Sequence, residues 1–283
     1  MILFKKANSL HQWVDAQQRK GQKVGFVPTM GALHLGHISL IESSRKDNDI
    51  TISSIFVNPT QFNDPKDFEK YPVTIEKDIL QLEQAGCDVL FLPSVEEIYP
   101  NGTTPKQHYD LQEMEILLEG KFRSGHYQGV CQVLHRLLKI VQPDNLYLGQ
   151  KDYQQCMVIS RLVELMGIND KTNINICPTL RETDGLAMSS RNMRLSEAER
   201  VKAVLIFQSL SYIKDNLVAG ETDTIKNKAI AMLSDEGFRV DYIEIADAKT
   251  LQTVSNWDGK KKLVALAAAF LNEVRLIDNL LLN

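Results

Sequence analysis

The sequence predicts an α/β protein: a Rossmann-like parallel sheet with helices on both faces, followed by a smaller C-terminal α+β domain. Three observations carry this. Short runs that are apolar throughout alternate with helical patterns over the first two-thirds of the chain, as expected of parallel strands buried on both faces. After about Thr179 the pattern changes to helical segments followed by longer strand-like runs. The length of 283 residues suits one large domain or two ordinary ones.

In chain order, Val24–Pro28 reads as the first strand and Gly36–Lys46 as a helix behind it. Ile50–Val57 is a strand, Thr74–Ala85 a helix, and Val89–Leu92 a strand. Gln128–Val141, Asn145–Leu148, Gln154–Met166 and Asn173–Cys177 continue the alternation. The boundary falls near Pro178–Arg181, giving domains of 1–178 and 179–283. In the second, "LSEAER" contains a capping box, Ser196 with Glu199 three residues on, which announces a long helix. A helical pattern follows over Asp223–Leu233. Then "FRVDYIEIAD", "KKLVALAAAF" and "EVRLIDNLLL" read as strands joined by short turns in an antiparallel sheet.

Composition narrows the function classes. Hydrophobic residues make up 43% and charged residues 24%, the balance of a soluble globular protein. With 32 basic and 36 acidic residues the net charge is −4, so no global field favours nucleic acid or an anionic membrane. A polyanionic ligand needs a local cluster of cations. Cys87, Cys131, Cys156 and Cys177 form no Cys-x-x-Cys pair, which excludes the usual zinc spacings and argues for reduced thiols. "MILFKKANSL" lacks the apolar core of a signal peptide, and the longest apolar run, Leu263–Leu271, is too short to span a bilayer. A cytoplasmic location is the expectation.

The stretch "PTMGALHLGH", Pro28–His37, sets His34 and His37 three residues apart where a strand gives way to a helix. In a first helical turn that spacing points both rings to one side. A helix N-terminus already favours an anion, and the imidazoles add donors for phosphate oxygens. Alone, the pattern is equally compatible with one histidine capping the helix and the other exposed. A zinc site is disfavoured, since no third ligand or His-Glu-x-x-His helix accompanies the pair. The polar loop "RETDGLAMSSRN", residues 181–192, puts Ser189 and Ser190 beside Arg191, which suits the oxygens of a pyrophosphate, although by itself such a loop is usually a solvated surface.

Together, the two elements resemble the signature of the class I nucleotidylyltransferase superfamily, the loop being similar to its mobile Lys-Met-Ser-Lys-Ser element. "VPTMGALHLGH", "IFVNPTQF", "GKFRSGHYQGV", "LGQKDYQQ" and "RETDGLAMSSRN" in this order resemble the pantothenate synthetase (pantoate–β-alanine ligase) family. The resemblance runs through residues 20–200. It implies an ATP-dependent, amide-forming ligase that joins pantoate to β-alanine through a pantoyl-adenylate, releasing pyrophosphate and AMP, in pantothenate and coenzyme A biosynthesis. The alternative is another class I nucleotidylyltransferase adenylating or cytidylylating a small metabolite. A truncated tRNA synthetase would need a basic surface that is absent here. A non-catalytic nucleotide sensor would bind ATP without turnover.

The resemblance also implies residue roles. His34, His37, Lys151, Ser189 and Arg191 match the positions that contact ATP phosphates and are the expected catalytic set. Met30, Gly149, Asp152, Leu180, Met188 and Ser190 complete the ATP site with His37, Lys151, Ser189 and Arg191. Asp152 faces ribose hydroxyls, with helix N-capping as its ordinary alternative. Met30, Gln61, Gln155 and Arg123 match the pantoate side, Met30 packing on the gem-dimethyl carbon. The polar stretch 58–72 is expected at the edge of that pocket. Ser124 stands where the family usually has proline, and Leu35 where glutamate is common; neither removes a functional group from the site. Arg123 reads equally well as a structural ion-pair partner. The pantoate carboxylate is ionised at pH 7, so adenylation needs positioning and charge stabilisation rather than a base. Mg2+ is expected with ATP, held mainly by its phosphates, with no protein metal ligand. The expected partners are ATP, pantoate and β-alanine, with no nucleic acid, no membrane, and a homodimeric assembly.

Overall fold

The structure, a computed structural model, describes residues 1–283 except 64–67, 70 and 106. Five residues of the stretch 58–72 expected to edge the pantoate pocket, 64–67 and 70, therefore lie outside the described residues. Two compact units make up the chain, and the division is not a single cut. The first comprises Met1–Glu115, Arg123–Gly149 and Gln155–Pro178. The second comprises Ile116–Phe122, Gln150–Gln154 and Thr179–Asn283.

The first unit is built on a six-stranded, all-parallel sheet of β1 (Ile2–Phe4), β2 (Val24–Thr29), β3 (Ile50–Ile55), β4 (Val89–Phe91), β5 (Asn145–Gly149) and β6 (Asn173–Cys177). Their spatial order is β1-β4-β3-β2-β5-β6. Alternation along each strand feeds two cores. Phe26, Val89, Phe91 and Leu146 enter one with Leu10, Leu138 and Leu162 from helices. Val27, Leu90 and Tyr147 enter the other with Leu40, Ile41 and Leu82. A period of two splits neighbours between opposite faces, so helices must cover both. The strands and the helices Leu35–Asp47, Ile75–Gln84, His126–Val141 and Tyr153–Leu165 begin and end within two residues of their sequence-based bounds. β1 and the helix Ala7–Gln18 were not legible, and only Leu10 and Val14 of that helix are buried.

Chain order reverses between β2 and β5, the place where such sheets open a crevice for ligands. Pro28 marks the opening. The Thr29 carbonyl accepts from Phe56 N–H on the β3 side, so by alternation Pro28 faces the β5 side without an N–H to donate. The β2–β5 pairing accordingly covers only Gly25–Asn145 and Phe26–Leu146, whereas the β2–β3 pairing continues to Thr29–Ile55. The residues following β2 leave the sheet from this gap.

The second unit has an antiparallel sheet of β8 (Arg239–Asp247), β10 (Leu263–Leu271) and β11 (Val274–Leu281), ordered β11-β10-β8, and a two-stranded ribbon of β7 (Gly220–Glu221) and β9 (Asn256–Trp257). Leu263, Ala265, Ala267, Ala269 and Leu271 pack with Ile206, Leu210 and Ile213 of the helix Leu205–Asn216 and with Ala229 and Leu233 of the helix Asp223–Ser234. Two sequence expectations are corrected. The long helix after Ser196 is two helices, Glu197–Ala203 and Leu205–Asn216; Val204 keeps helical dihedrals, but its N–H bonds Lys202 O and breaks the ladder. The connection from β8 to β10 is not a short turn, because residues 248–262 include β9. The capping box at Ser196 and Glu199 is present.

The segment Ile116–Phe122 is fastened inside the second unit by a buried carboxylate. Glu119 receives a bidentate pair from Arg275, at 2.8 and 2.7 Å, and the Tyr242 hydroxyl at 2.9 Å. Arg275 also holds Asp241 at 2.8 Å, and these acids keep its guanidinium pKa above the ordinary arginine value despite burial. Removing one partner of such a pair costs about 3–5 kcal/mol, because the other charge is left buried.

Candidate active site

Gly31 opens the turn after β2 with φ +80°. A Cβ there would lie 3.0 Å from both Asp78 Oδ2 and Ile55, so this turn requires glycine by conformation and by space. The Asp78 carboxylate, almost fully buried, accepts from Ala32 N–H at 2.9 Å, Leu33 N–H at 2.8 Å and the Thr74 hydroxyl at 3.0 Å. It fixes the backbone that delivers His34 to the N-cap of the helix Leu35–Asp47.

Both histidines cap that helix reciprocally. His34 Nδ1 accepts from Gly36 N–H at 3.2 Å, and His37 Nδ1 accepts from His34 N–H at 3.3 Å. The ring centroids are 4.1 Å apart. Since each Nδ1 accepts from backbone, the neutral tautomer of each ring carries its proton on Nε2. Capping and phosphate donation, alternatives in the sequence, thus use different nitrogens and are compatible.

Gln61 ends the 3-10 turn Pro59–Gln61 and is almost fully buried. Its Oε1 accepts from Asn58 Nδ2, and its Nε2 donates to Met30 Sδ, each at 3.0 Å. The expected pantoate residues Met30 and Gln61 are therefore neighbours. The turn is pressed by the helix His126–Val141, where a Cβ on Gly129 would lie 2.1 Å from Thr60 O. His126 Nδ1 lies 2.7 Å from Gln61 O, so that nitrogen is the donor. The neutral ring then accepts at Nε2 from Arg123 Nη1, 3.1 Å away. Arg123 is thereby tied through His126 to the Gln61 turn. Met30 also lines an apolar cavity of about 220 Å³ with Phe56, Pro72, Val73, Leu92 and Val95.

Gly149 closes β5, and a Cβ there would meet nothing within 4 Å among the described residues, so no contact with them demands glycine. Gln155 is half-buried in the first turn of the helix Tyr153–Leu165.

The remaining expected residues belong to the second unit. A narrow cleft there is lined by Lys151, Ser189, Arg191, Asn192, Arg275 and Asp278. It brings Lys151 together with the Ser189–Arg191 loop. Lys151 lies in the 3-10 turn Gln150–Asp152, its side chain largely buried and its Nζ 3.7 Å from Asp152 Oδ1. Asp152 directly precedes the helix Tyr153–Leu165 and is half exposed. Ser189 caps the 3-10 helix Ser190–Arg194, accepting from Arg191 N–H at 3.2 Å while its own O–H remains a donor. Leu180 O accepts from Met188 N–H at 3.1 Å, which closes the loop at its base. Asn192 donates to Ala187 O at 3.0 Å, and its Oδ1 is buried with no partner among the described residues. Arg181 makes a bidentate pair with Asp278 at 2.6 and 3.0 Å and lies over the Phe207 ring. Burial pushes the Asp278 carboxyl upward, and Arg181 opposes that shift. With Asp278 already matched to Arg181, Lys151 and Arg191 give the cleft a cationic lining suited to phosphate.

Several residues of this architecture carried no readable signal. Asp78 sat inside a helical pattern that gave it no role, and its one cue was a carboxylate on the inward side of an amphipathic helix. Arg275 and Asn279 lie far along the chain from the motifs, and Glu119, directly before "GKFRSGHYQGV", is paired with Arg275 156 residues on. Among the described residues no group of three or more His, Cys, Asp or Glu could hold a metal ion, and no helix is long and apolar enough to cross a membrane.

Comparison with known proteins adds the following. The family model described as pantoate-beta-alanine ligase matches residues 2–281. Pantothenate synthetase of Bacteroides thetaiotaomicron is 45% identical over 282 residues, covering 99% of this chain and 98% of that protein. Pantothenate synthetase of Phocaeicola vulgatus is 43% identical over 284 residues, 99% of each. The crystal structure of pantothenate synthetase from Thermus thermophilus superposes with a TM-score of 0.90 at 37% identity over 99% of both chains. The pantoate-beta-alanine ligase of Francisella tularensis, crystallised with beta-gamma ATP and beta-alanine, gives 0.80 at 40% identity, covering 99% of this chain and 97% of that one.

Proposed function

The chain belongs to the pantoate–β-alanine ligase family and is an ATP-dependent ligase that forms pantothenate; from this premise we propose that it works through a pantoyl-adenylate made by the residues described above. The observation that carries the proposal is the pairing of chemistries: histidines with Nε2 protons at a helix N-terminus, and a Lys–Ser–Arg cleft.

The pantoate carboxylate attacks the α-phosphorus of ATP, and the bond to pyrophosphate breaks. His34, His37 and Lys151 stabilise charge on the reacting phosphoryl group, and Ser189 and Arg191 bind the β- and γ-phosphates. Met188 and Ser190 shape the loop that orders on ATP, Asp152 accepts from ribose hydroxyls, Gly149 leaves room for the nucleotide, and the Leu180 backbone meets adenine. Gln61 and Gln155 bond the pantoate oxygens, and Met30 packs on its dimethyl carbon. Arg123, held by His126, faces the carboxylate. The β-alanine amine then attacks the acyl carbon and AMP leaves. ATP enters as its Mg2+ complex, the ion riding on phosphate oxygens, in keeping with ligands that are mostly oxygen and water. We place the enzyme in the cytoplasm as a homodimer.

Pantoate-dependent exchange of labelled pyrophosphate into ATP tests the first step. Exchange that requires pantoate, followed by AMP release on adding β-alanine, is the expected result. Exchange without pantoate, or ATP binding with no exchange, contradicts it.

A further inference from the structure

Asn279 on β11 is almost fully buried, yet its side chain is engaged at every polar position by the turn that carries Lys151. Its Nδ2 donates to Gln150 O at 2.9 Å and to Lys151 O at 2.8 Å. Its Oδ1 accepts from Gln150 Nε2 at 3.2 Å. The 3-10 turn Gln150–Asp152 is three residues long, and Asn279 donates to two of its carbonyls. The residue itself is locked. Its N–H donates to Asp278 Oδ1 at 2.8 Å, its carbonyl accepts from Arg181 at 3.2 Å, and it pairs with Leu266 across the sheet. Arg181 also donates to Gly185 O at 3.1 Å, within the loop that leads to Ser189. Two consecutive residues of β11 thus hold the Lys151 turn by one side chain and the base of the 181–192 loop by the other.

We infer that Asn279 is a positioning residue for Lys151: it clamps the turn's two carbonyls so that the ammonium is presented to the reacting phosphate without reorganisation. The inference rests on the reading that Lys151 acts on ATP phosphates. A lysine on a four-carbon stem is otherwise poorly directed, and preorganisation of the backbone beneath it limits where Nζ can reach. Charge stabilisation at a phosphoryl group depends steeply on that placement.

The test is a double-mutant cycle read by pantoate-dependent pyrophosphate exchange, with a melting curve for each variant. Asn279→Ala is expected to lower the exchange kcat roughly 10–100-fold, the range for residues that orient a functional group, and to leave the pantoate KM unchanged. Asn279→Asp keeps the size of the side chain but faces two carbonyls with acceptors, so it slows exchange at least as far. It carries the cycle if the alanine variant melts below the assay temperature. In a Lys151→Ala background, either substitution is expected to cost less than about 2-fold more, because residues acting as a unit are non-additive. A slow Lys151→Ala with a full additional loss from Asn279 overturns the inference alone. So does an Asn279→Asp variant that exchanges at the parental rate, which would mean the residue only fills space. A Lys151→Ala variant at the parental rate overturns the Lys151 reading and the inference with it.

Discussion

At the scale of single residues, the proposed mechanism divides the site into groups that touch substrate and groups that hold them. The residues proposed to face substrate could be named from the sequence because each lies in a short local motif. Taken singly, two histidines at a helix start are equally compatible with capping, and two hydroxyls beside an arginine with a solvated loop; together, and with a lysine after a strand, they suit an anion. The holders were not legible, because Asp78, His126 and Asn279 act across folds of chain that no spacing rule connects. The difference predicts distinct kinetics. In the proposed mechanism His37→Ala or Lys151→Ala removes a donor used in the transition state and is expected to lower the adenylation rate roughly 10²–10³-fold, read as single-turnover pyrophosphate release. In the proposed mechanism Gln155→Ala removes a ground-state contact, so its expected main effect is a raised pantoate KM at near-parental kcat. An unchanged KM removes Gln155 from the pocket.

At the scale of elements, strand periodicity and helix caps placed most of the structure, and the failures have physical causes. β1 has three residues at the edge of the sheet, and the helix Ala7–Gln18 buries too few apolar side chains to show a pattern. The break at Val204 has no glycine or proline to mark it. Gly129 shows how an element places a site residue. In an ordinary helix interior, Gly→Ala gains about 1 kcal/mol. Here the added methyl meets Thr60 O at 2.1 Å, in the turn that carries Gln61. Gly129→Ala is therefore expected to lose about 1–3 kcal/mol in urea titration, the cost of overpacking, and to raise the pantoate KM as Gln61 moves. A variant more stable than its parent contradicts the close approach.

At the scale of the whole molecule, the change of pattern near Thr179 was readable, but the second unit also takes Ile116–Phe122 and Gln150–Gln154. Those short segments come from the middle of the parallel-sheet region, where their partners Arg275 and Asn279 could not be foreseen. Burial pushes Cys87 and Cys131 from 9.0 up to about 12, and Tyr109 and Tyr147 from 10.0 up to about 12. The native chain keeps these protons where the unfolded chain releases them. Their contribution is full below about pH 9 and is lost as pH rises toward 12. The urea midpoint is expected to be lower at about pH 10.5 than at about pH 8, and an equal or higher midpoint refutes this. The central claim, activation of pantoate as its adenylate, is tested most directly with pantoate carrying 18O in both carboxylate oxygens. One of those oxygens bonds to the α-phosphorus and leaves with AMP when the β-alanine amine takes the acyl carbon. Mass spectrometry is predicted to find one 18O in AMP and one in the new amide. Unlabelled AMP, or label in pyrophosphate, would contradict the account.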